Sequence, residues 1–327
     1  MERKNKIIVL LLLVALVGFF VLDLCCGSVW IPIRQAVAGD SLLSQIVLDL
    51  RLPKAITAML AGMALSVSGL MMQTLFRNPL AGPYILGVSS GASLGVALFT
   101  MLSGMFFVAP ASGGRVGSTI LAAILGSILV MLLMLAVGRK VKNSVSLLIV
   151  GLMVGSLASA VIGVIQNFAD PDSLKLFIVW TLGSLSGVGW GEMWVLLPIM
   201  VIGLVLSVLL IKPLNGLILG EDYARSLGIN IGRVRRGIVV TTGLLAGGIT
   251  AFCGPIAFIG VAVPHIARAL IGSTNHNWTL PTCALVGANL ILICDLISSL
   301  FVYPLPISTL SALIGAPVII YVIVKNN

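Results

Sequence analysis

LILGEDYARSLGINIGRVRR, residues Leu217 to Arg236, is a polar island inside a greasy chain. It carries Glu221, Asp222, Arg225, Arg233, Arg235 and Arg236, whereas long segments on both sides carry almost no charge, so it has to lie in water. Glu221 and Asp222 place anions where a helix begins, Arg225 places a cation further on, and Gly228 suits a C-cap, which predicts a short helix marked at both ends. Glu221 and Arg225 stand i,i+4 on one face, and Tyr223 and Leu227 stand i,i+4 on another. Such an amphipathic knob is either an ordinary solvated loop helix or a surface on which a partner docks.

Charged residues are 9% of the chain and hydrophobic residues 59%, with a mean hydropathy of +1.19, which excludes a soluble globular domain. Apolar stretches long enough to cross roughly 30 Å of hydrocarbon recur along the whole length. The fold class is therefore all-α, a polytopic membrane protein, read as one transmembrane domain over 1–327 with a cytoplasmic loop near 213–233. Ten spans are predicted, at about 7–26, 54–76, 84–108, 114–138, 145–168, 191–211, 234–253, 256–271, 280–303 and 306–324. Alternation from a cytoplasmic N-terminus leaves only Arg34, Arg51, Lys54, Arg115 and Lys175 outside and puts every other basic residue, Lys142 included, inside, so both termini are placed in the cytoplasm.

The net charge of +9 does not indicate nucleic acid, because the basic residues are scattered over membrane-flanking loops. Cys25, Cys26, Cys253, Cys283 and Cys294 lie in or beside apolar spans without metal-ligand spacing, so core packing is expected, with no metal and no cofactor. MERKNK before an apolar run resembles a signal peptide but lacks an A-x-A site, and is read as an uncleaved first helix.

Along the chain, Arg51-Leu52-Pro53-Lys54 suggests a helix start with proline in its first turn and two cations at the outer mouth. Those cations either anchor at the interface by snorkelling or meet an acidic extracytoplasmic partner. Asn78-Pro79 and Gly82-Pro83 break the chain twice in a compact cytoplasmic turn that is placed beside a path. Gly87 to Gly91 matches G-x-S-x-G, with His265 and His276 as conceivable bases, yet a hydrolase elbow needs a strand-turn-helix context, and Gly87, Gly91 and Gly95 instead recur as helix-packing positions. Gly151, Gly155, Ser159 and Gly163 give the fifth span a face without bulk, for packing or for a bulky solute. A short interfacial helix is expected near Trp180, with Trp180, Trp190 and Trp194 as belt residues. His265 and Arg268 share a helical face with too few ligands for a metal, which leaves a structural or docking role, and Asp295 is expected to lie in hydrocarbon as a lone acid, for a structural hydrogen bond inside the bundle in preference to proton coupling.

In order and spacing, RLPK, GMALSVSGLMMQTLFRNPLAGPYILGVSSGASLG, LGEDYARSLGINIGRVR, GPIAFIGVAVPHIAR and LPISTLSALIGAPVIIYVI resemble the permease subunit of FecCD-type ABC importers, from Arg51 onward. The resemblance implies a ten-helix subunit in the bacterial inner membrane, forming a homodimer with two cytoplasmic ATPase subunits and a periplasmic binding protein, for vitamin B12, ferric siderophores or haem. It implies that Gly220 to Gly228, with Glu221, Asp222, Tyr223, Ala224, Arg225 and Leu227, fits a cleft on the ATPase, and that His265 and Arg268 lie near that face. It further implies that Arg51 and Lys54 meet the binding protein, that Asn78, Leu80, Ser144 and Val145 form a cytoplasmic gate, and that the fifth span lines the path. The chain departs from the common pattern at Lys54 and Ser299, where arginine is frequent, and lysine lacks the bidentate fork.

No G-x-x-x-x-G-K-[ST] motif is present, so this chain is not read as an enzyme and the energy of ATP has to enter from another subunit. The competing class is an ion-coupled secondary transporter, which calls for a polar midplane site and usually an internal repeat, neither of which the sequence offers.

Overall fold

The computed structural model describes residues 2–27, 29–32, 42–106, 115–141, 144–301 and 303–326; the expected positions of Arg34 and Lys142 fall outside these. In hydrocarbon every backbone N–H and C=O has to be satisfied by the protein itself, which a helix does within its own segment, and the described residues form helices, without strands. The principal helices are α1 (Glu2–Cys25), α2 (Leu52–Phe76), α3 (Val88–Phe106), α4 (Arg115–Lys140), α5 (Ser144–Phe168), α6 (Pro171–Thr181) and α7 (Trp190–Leu209). They continue with α8 (Ile211–Ile218), α9 (Glu221–Ser226), α10 (Ile231–Thr242), α11 (Gly248–Cys253), α12 (Ile259–Ile271), α13 (His276–Ser299) and α14 (Ile307–Asn326). Among the described residues, 7 helices are long and apolar enough to cross a membrane. The shorter apolar helices Val88–Met101, Ile259–Ile271 and Ile307–Tyr321 fall on the remaining predicted spans.

The core is built around α2, whose spanning window is 83% buried, against 6% for α1 and 17% for α5. Lipid tails are as apolar as leucine, so helices associate in a bilayer by close packing, which small residues permit. A Cβ on Gly62 would strike the Gly287 carbonyl of α13, and one on Gly69 would strike the Gly260 carbonyl of α12. A second seam joins α3 to α4, where Gly91 and Gly95 face the carbonyls of Gly126 and Ala122. Gly87 stands outside this helix: it takes φ +71° and closes the 3-10 turn Pro83–Leu86.

The start of α2 differs from the sequence expectation. Helical structure already runs through Leu42–Gln45 and a π-helical turn, Ile46–Arg51, so Pro53 sits within a continuous helical run instead of opening one. The wider i→i+5 turn, in which the Leu52 N–H reaches the Val47 carbonyl, accommodates the proline that an α-helix interior would reject. A second π-helical turn, Gly243–Gly247, joins α10 to α11 and divides the seventh span.

Outside, Asp170 caps α6 by accepting from the N–H groups of Asp172 and Ser173. Hydrogen bonding from Ser173 holds this exposed carboxyl below its usual range. The next outer turn depends on Gly254, at φ +75°, where any side chain would collide with the Trp180 carbonyl.

Replacing Gly62 by leucine should therefore disrupt the bundle far more than the same change at Gly163, beside which nothing lies within 4 Å. Overpacking in a well-packed core costs about 1–3 kcal/mol or more. Thermal unfolding in detergent should show a large drop for Gly62→Leu and little for Gly163→Leu, and equal drops would contradict this packing.

Candidate functional site

The charged island folds as α8, α9 and α10. Gly220, at φ +115°, turns the chain into α9, and Gly228, at φ +79°, turns it out again, both conformations that side chains resist. Ala224 is the buried face of this six-residue helix, while Tyr223 and Leu227 are 49% and 58% exposed. A tyrosine and a leucine held outward on a short, doubly turned helix form the apolar knob that the spacing predicted.

The two acids that open α9 have different surroundings. Asp222 is 98% exposed on its side chain and, among the described residues, pairs with Arg225 at 3.3 Å. Glu221 is 21% exposed and faces inward, where the Ser144 hydroxyl donates to its Oε1 across 2.5 Å and Arg235 Nη2 lies 3.3 Å from the same oxygen. Arg225 reaches its other oxygen at 3.6 Å. Arg235, buried at the start of α10, also donates to the Val141 carbonyl at 2.9 Å. A run of arginines suggests a solvated face, and only the fold reveals that Arg235 belongs inside.

The turn after α2 is braced from α12. Arg77 ends α2 in a left-handed conformation, and Asn78 Oδ1 accepts from the Leu80 N–H at 2.9 Å. His265 Nε2 lies 2.8 Å from the Pro79 carbonyl, so that nitrogen carries the proton and donates. Arg268 donates to Gln73 Oε1, and Gln73 in turn donates to the Val261 carbonyl. His265 and Arg268 thus hold this turn against the core, and they line a cavity of about 360 Å³ that Ile218 of α8 also borders. Leu80 and Val145 are exposed, while Ser144 is buried against Glu221.

On α5 the small-residue stripe divides into two parts. Gly151 is buried against the Ile85 carbonyl, a packing contact, whereas Gly155 is half-buried and Ser159 and Gly163 lie open. The G-x-S-x-G match has no base: Ser89 Oγ lies 3.1 Å from Thr250 Oγ1. His276 contacts Thr74 and Asn215 instead.

At the outer end both cations have internal partners. Arg51 donates to the carbonyls of Leu24, Cys25 and Val29, which closes the C-terminal end of α1. Lys54 Nζ lies 2.8 Å from Asp295 Oδ1 on α13. Asp295, 1% exposed, is consequently not the lone acid expected from sequence, since the Asp23 carboxyl of α1 also reaches it and the three side chains join α1, α2 and α13. Ser299 bonds back to the Leu296 carbonyl in its own helix.

The FecCD transport family profile matches residues 11–325. The chain belongs to the FecCD transport family. It is 35% identical over 320 residues to the vitamin B12 import system permease protein BtuC of Klebsiella pneumoniae, covering 97% of this chain and 92% of that one. It is 35% identical over 329 residues to the protein of the same name from Escherichia coli O6:K15:H31, covering 99% and 97%. A solved chain described as an inward-facing conformation of a metal-chelate type ABC transporter superposes with a TM-score of 0.85 at 28% identity, covering 98% and 99%. This FecCD chain is accordingly a multi-pass permease of an ABC importer, and the secondary-transporter reading is not favoured.

In this FecCD permease the Asp23, Lys54 and Asp295 cluster yields an asymmetric expectation. Removing one partner of a buried pair costs about 3–5 kcal/mol because the other charge is stranded. Lys54→Met strands two carboxyl groups, whereas Asp295→Asn leaves Asp23 beside the lysine. Melting temperature in detergent should fall more for Lys54→Met, and the reverse order would show that the lysine is not the centre of the cluster.

Proposed function

We propose that this permease works as a homodimer in the bacterial inner membrane, carries two cytoplasmic ATPase subunits, and receives a large metal chelate from an extracytoplasmic binding protein. The chelate belongs to the class of vitamin B12, ferric siderophores or haem. The observation that carries the reading is the α9 knob, with Tyr223 and Leu227 presented to the cytoplasm by a frame that has no nucleotide-binding motif of its own. An apolar pair on a helix end, ringed by Asp222 and Arg225, suits a cleft on a soluble motor.

The path runs beside the open part of α5, at Gly155, Ser159 and Gly163, and the cytoplasmic gate lies where Leu80 and Val145 are exposed. A bulky chelate needs a wall without projecting side chains, and these residues supply one. At the outer end the binding protein meets the corner that Arg51 and Lys54 hold together. Because both cations are tied inward, the corner acts in docking mainly through its shape, and capture depends only weakly on salt. An ion-coupled carrier would place its acids near the midplane, whereas Asp23 and Asp295 sit toward the helix ends beside Lys54.

Changing both Tyr223 and Leu227 to aspartate should leave the permease inserted and folded but reduce co-purification of the ATPase at least tenfold. Undiminished co-purification would remove the docking assignment. Vesicles loaded by cyanocobalamin or ferrichrome uptake should fill only when the ATPase and ATP are supplied, and filling without them would favour a carrier.

A further inference from the structure

We propose that Glu221 is a positioning residue that passes movement of α9 to α5 from within the permease, instead of a residue that touches the ATPase. The inference rests on α9 being the docking helix and deepens that reading by separating its outward from its inward function.

Glu221 and Asp222 are neighbours with opposite orientations. Asp222, 98% exposed on its side chain, is available to a partner, while Glu221 is 21% exposed and turned toward the bundle. Its carboxylate accepts from two donors on separate helices, the Ser144 hydroxyl at 2.5 Å and Arg235 at 3.3 Å, and forms an ion pair with Arg225 of its own helix at 3.6 Å. Hydrogen bonds with an ionised partner are shorter and roughly twice as strong as neutral ones, and here the anion also faces the positive N-terminal end of the long helix α5. Arg235 extends the junction to the end of α4 through the Val141 carbonyl. A single side chain therefore joins the docking helix to the starts of α5 and α10.

The contacts continue toward the gate. On α5, two turns beyond Ser144, Gly151 packs directly on the Ile85 carbonyl, and Ile85 belongs to the turn that follows Leu80. Across its spanning window α5 is 17% buried, against 83% for α2, so it packs through one narrow face and leaves most of its side chains outside the described bundle. A push on Tyr223 and Leu227 thus has a polar attachment, Glu221 to Ser144, at the helix that borders both path and gate. Spatial continuity is a route and not yet coupling, which a variant of the link has to demonstrate.

The test uses the assembled permease and ATPase in lipid nanodiscs, with nitroxide labels at Val145→Cys and Asn277→Cys, both exposed, and Cys26 replaced by serine because the other native cysteines are buried. The distance is compared without nucleotide and with ATP trapped by vanadate. ATP should shift the Val145 distance in the otherwise unaltered protein. Ser144→Ala and Glu221→Gln should each cut that shift to less than half while the ATPase stays bound, and the double variant should do no worse than the more severe single one. A full shift in Glu221→Gln, ATPase lost from Glu221→Gln but kept by Ser144→Ala, additive losses in the double variant, or no shift in the unaltered assembly would each overturn the proposal. Failure of the ATPase to bind any of these proteins would instead overturn the docking reading beneath it.

Discussion

The bundle depends on backbone-to-backbone contact along α2. Gly62 against Gly287 and Gly69 against Gly260 bring three helices closer than any side chain allows, and in lipid that proximity is what holds helices together. Two glycines seven residues apart lie near one face of a helix, so α12 and α13 both pack on α2, whose spanning window is the most buried of the long helices. The polar contacts of the interior follow from this arrangement. Lys54 meets Asp295 because α13 is drawn against α2, and Gln73 reaches both Arg268 and the Val261 carbonyl because α12 is drawn in beside it.

This frame separates the permease into parts with different freedom. Helices α2, α12 and α13 are locked by glycine contacts and by buried ion pairing at the outer end, whereas α5 offers most of its length to the surroundings. Two packed arrangements of one sequence require one part that stays and another that moves. On the proposed reading, the first part carries the outer corner and the brace of the cytoplasmic turn, and the second borders the solute.

Features whose determinants lie close together along the chain are legible in the amino-acid sequence itself. The α9 knob follows from Glu221, Tyr223, Arg225 and Leu227 at helical spacing and from Gly228 beyond them, and the spans follow from hydropathy over some twenty residues. What stays hidden rests on partners far apart along the chain. Lys54 and Asp295 are 241 positions apart by number, and Glu221 lies 77 positions from Ser144, so no periodicity could pair them. Reading Lys54 as a free outer cation and Asp295 as a lone acid are two halves of one omission. The misplaced start of α2 has a local cause, since a proline near a helix N-terminus normally marks its first turn and the π-helical turn that absorbs Pro53 carries no comparable signal.

Charge in this chain consequently has two physical uses that composition cannot separate. Asp222 remains in water at little desolvation cost, and such a residue can be exchanged between solvent and a partner. Arg235 and Lys54 have given up much of their hydration, and a charge so placed is stable only while its partners stay within reach. At the outer end, where Lys54 bridges helices that glycine contacts already hold, that dependence adds stiffness. At the cytoplasmic end, where Glu221 joins a short surface helix to a long and lightly packed one, the same dependence makes the two helices move together, because separating them would leave the buried Ser144 hydroxyl without its carboxylate acceptor. The same chemistry therefore serves as a lock at one face and as a linkage at the other, and the packing of the helix at the far end of each bond decides which.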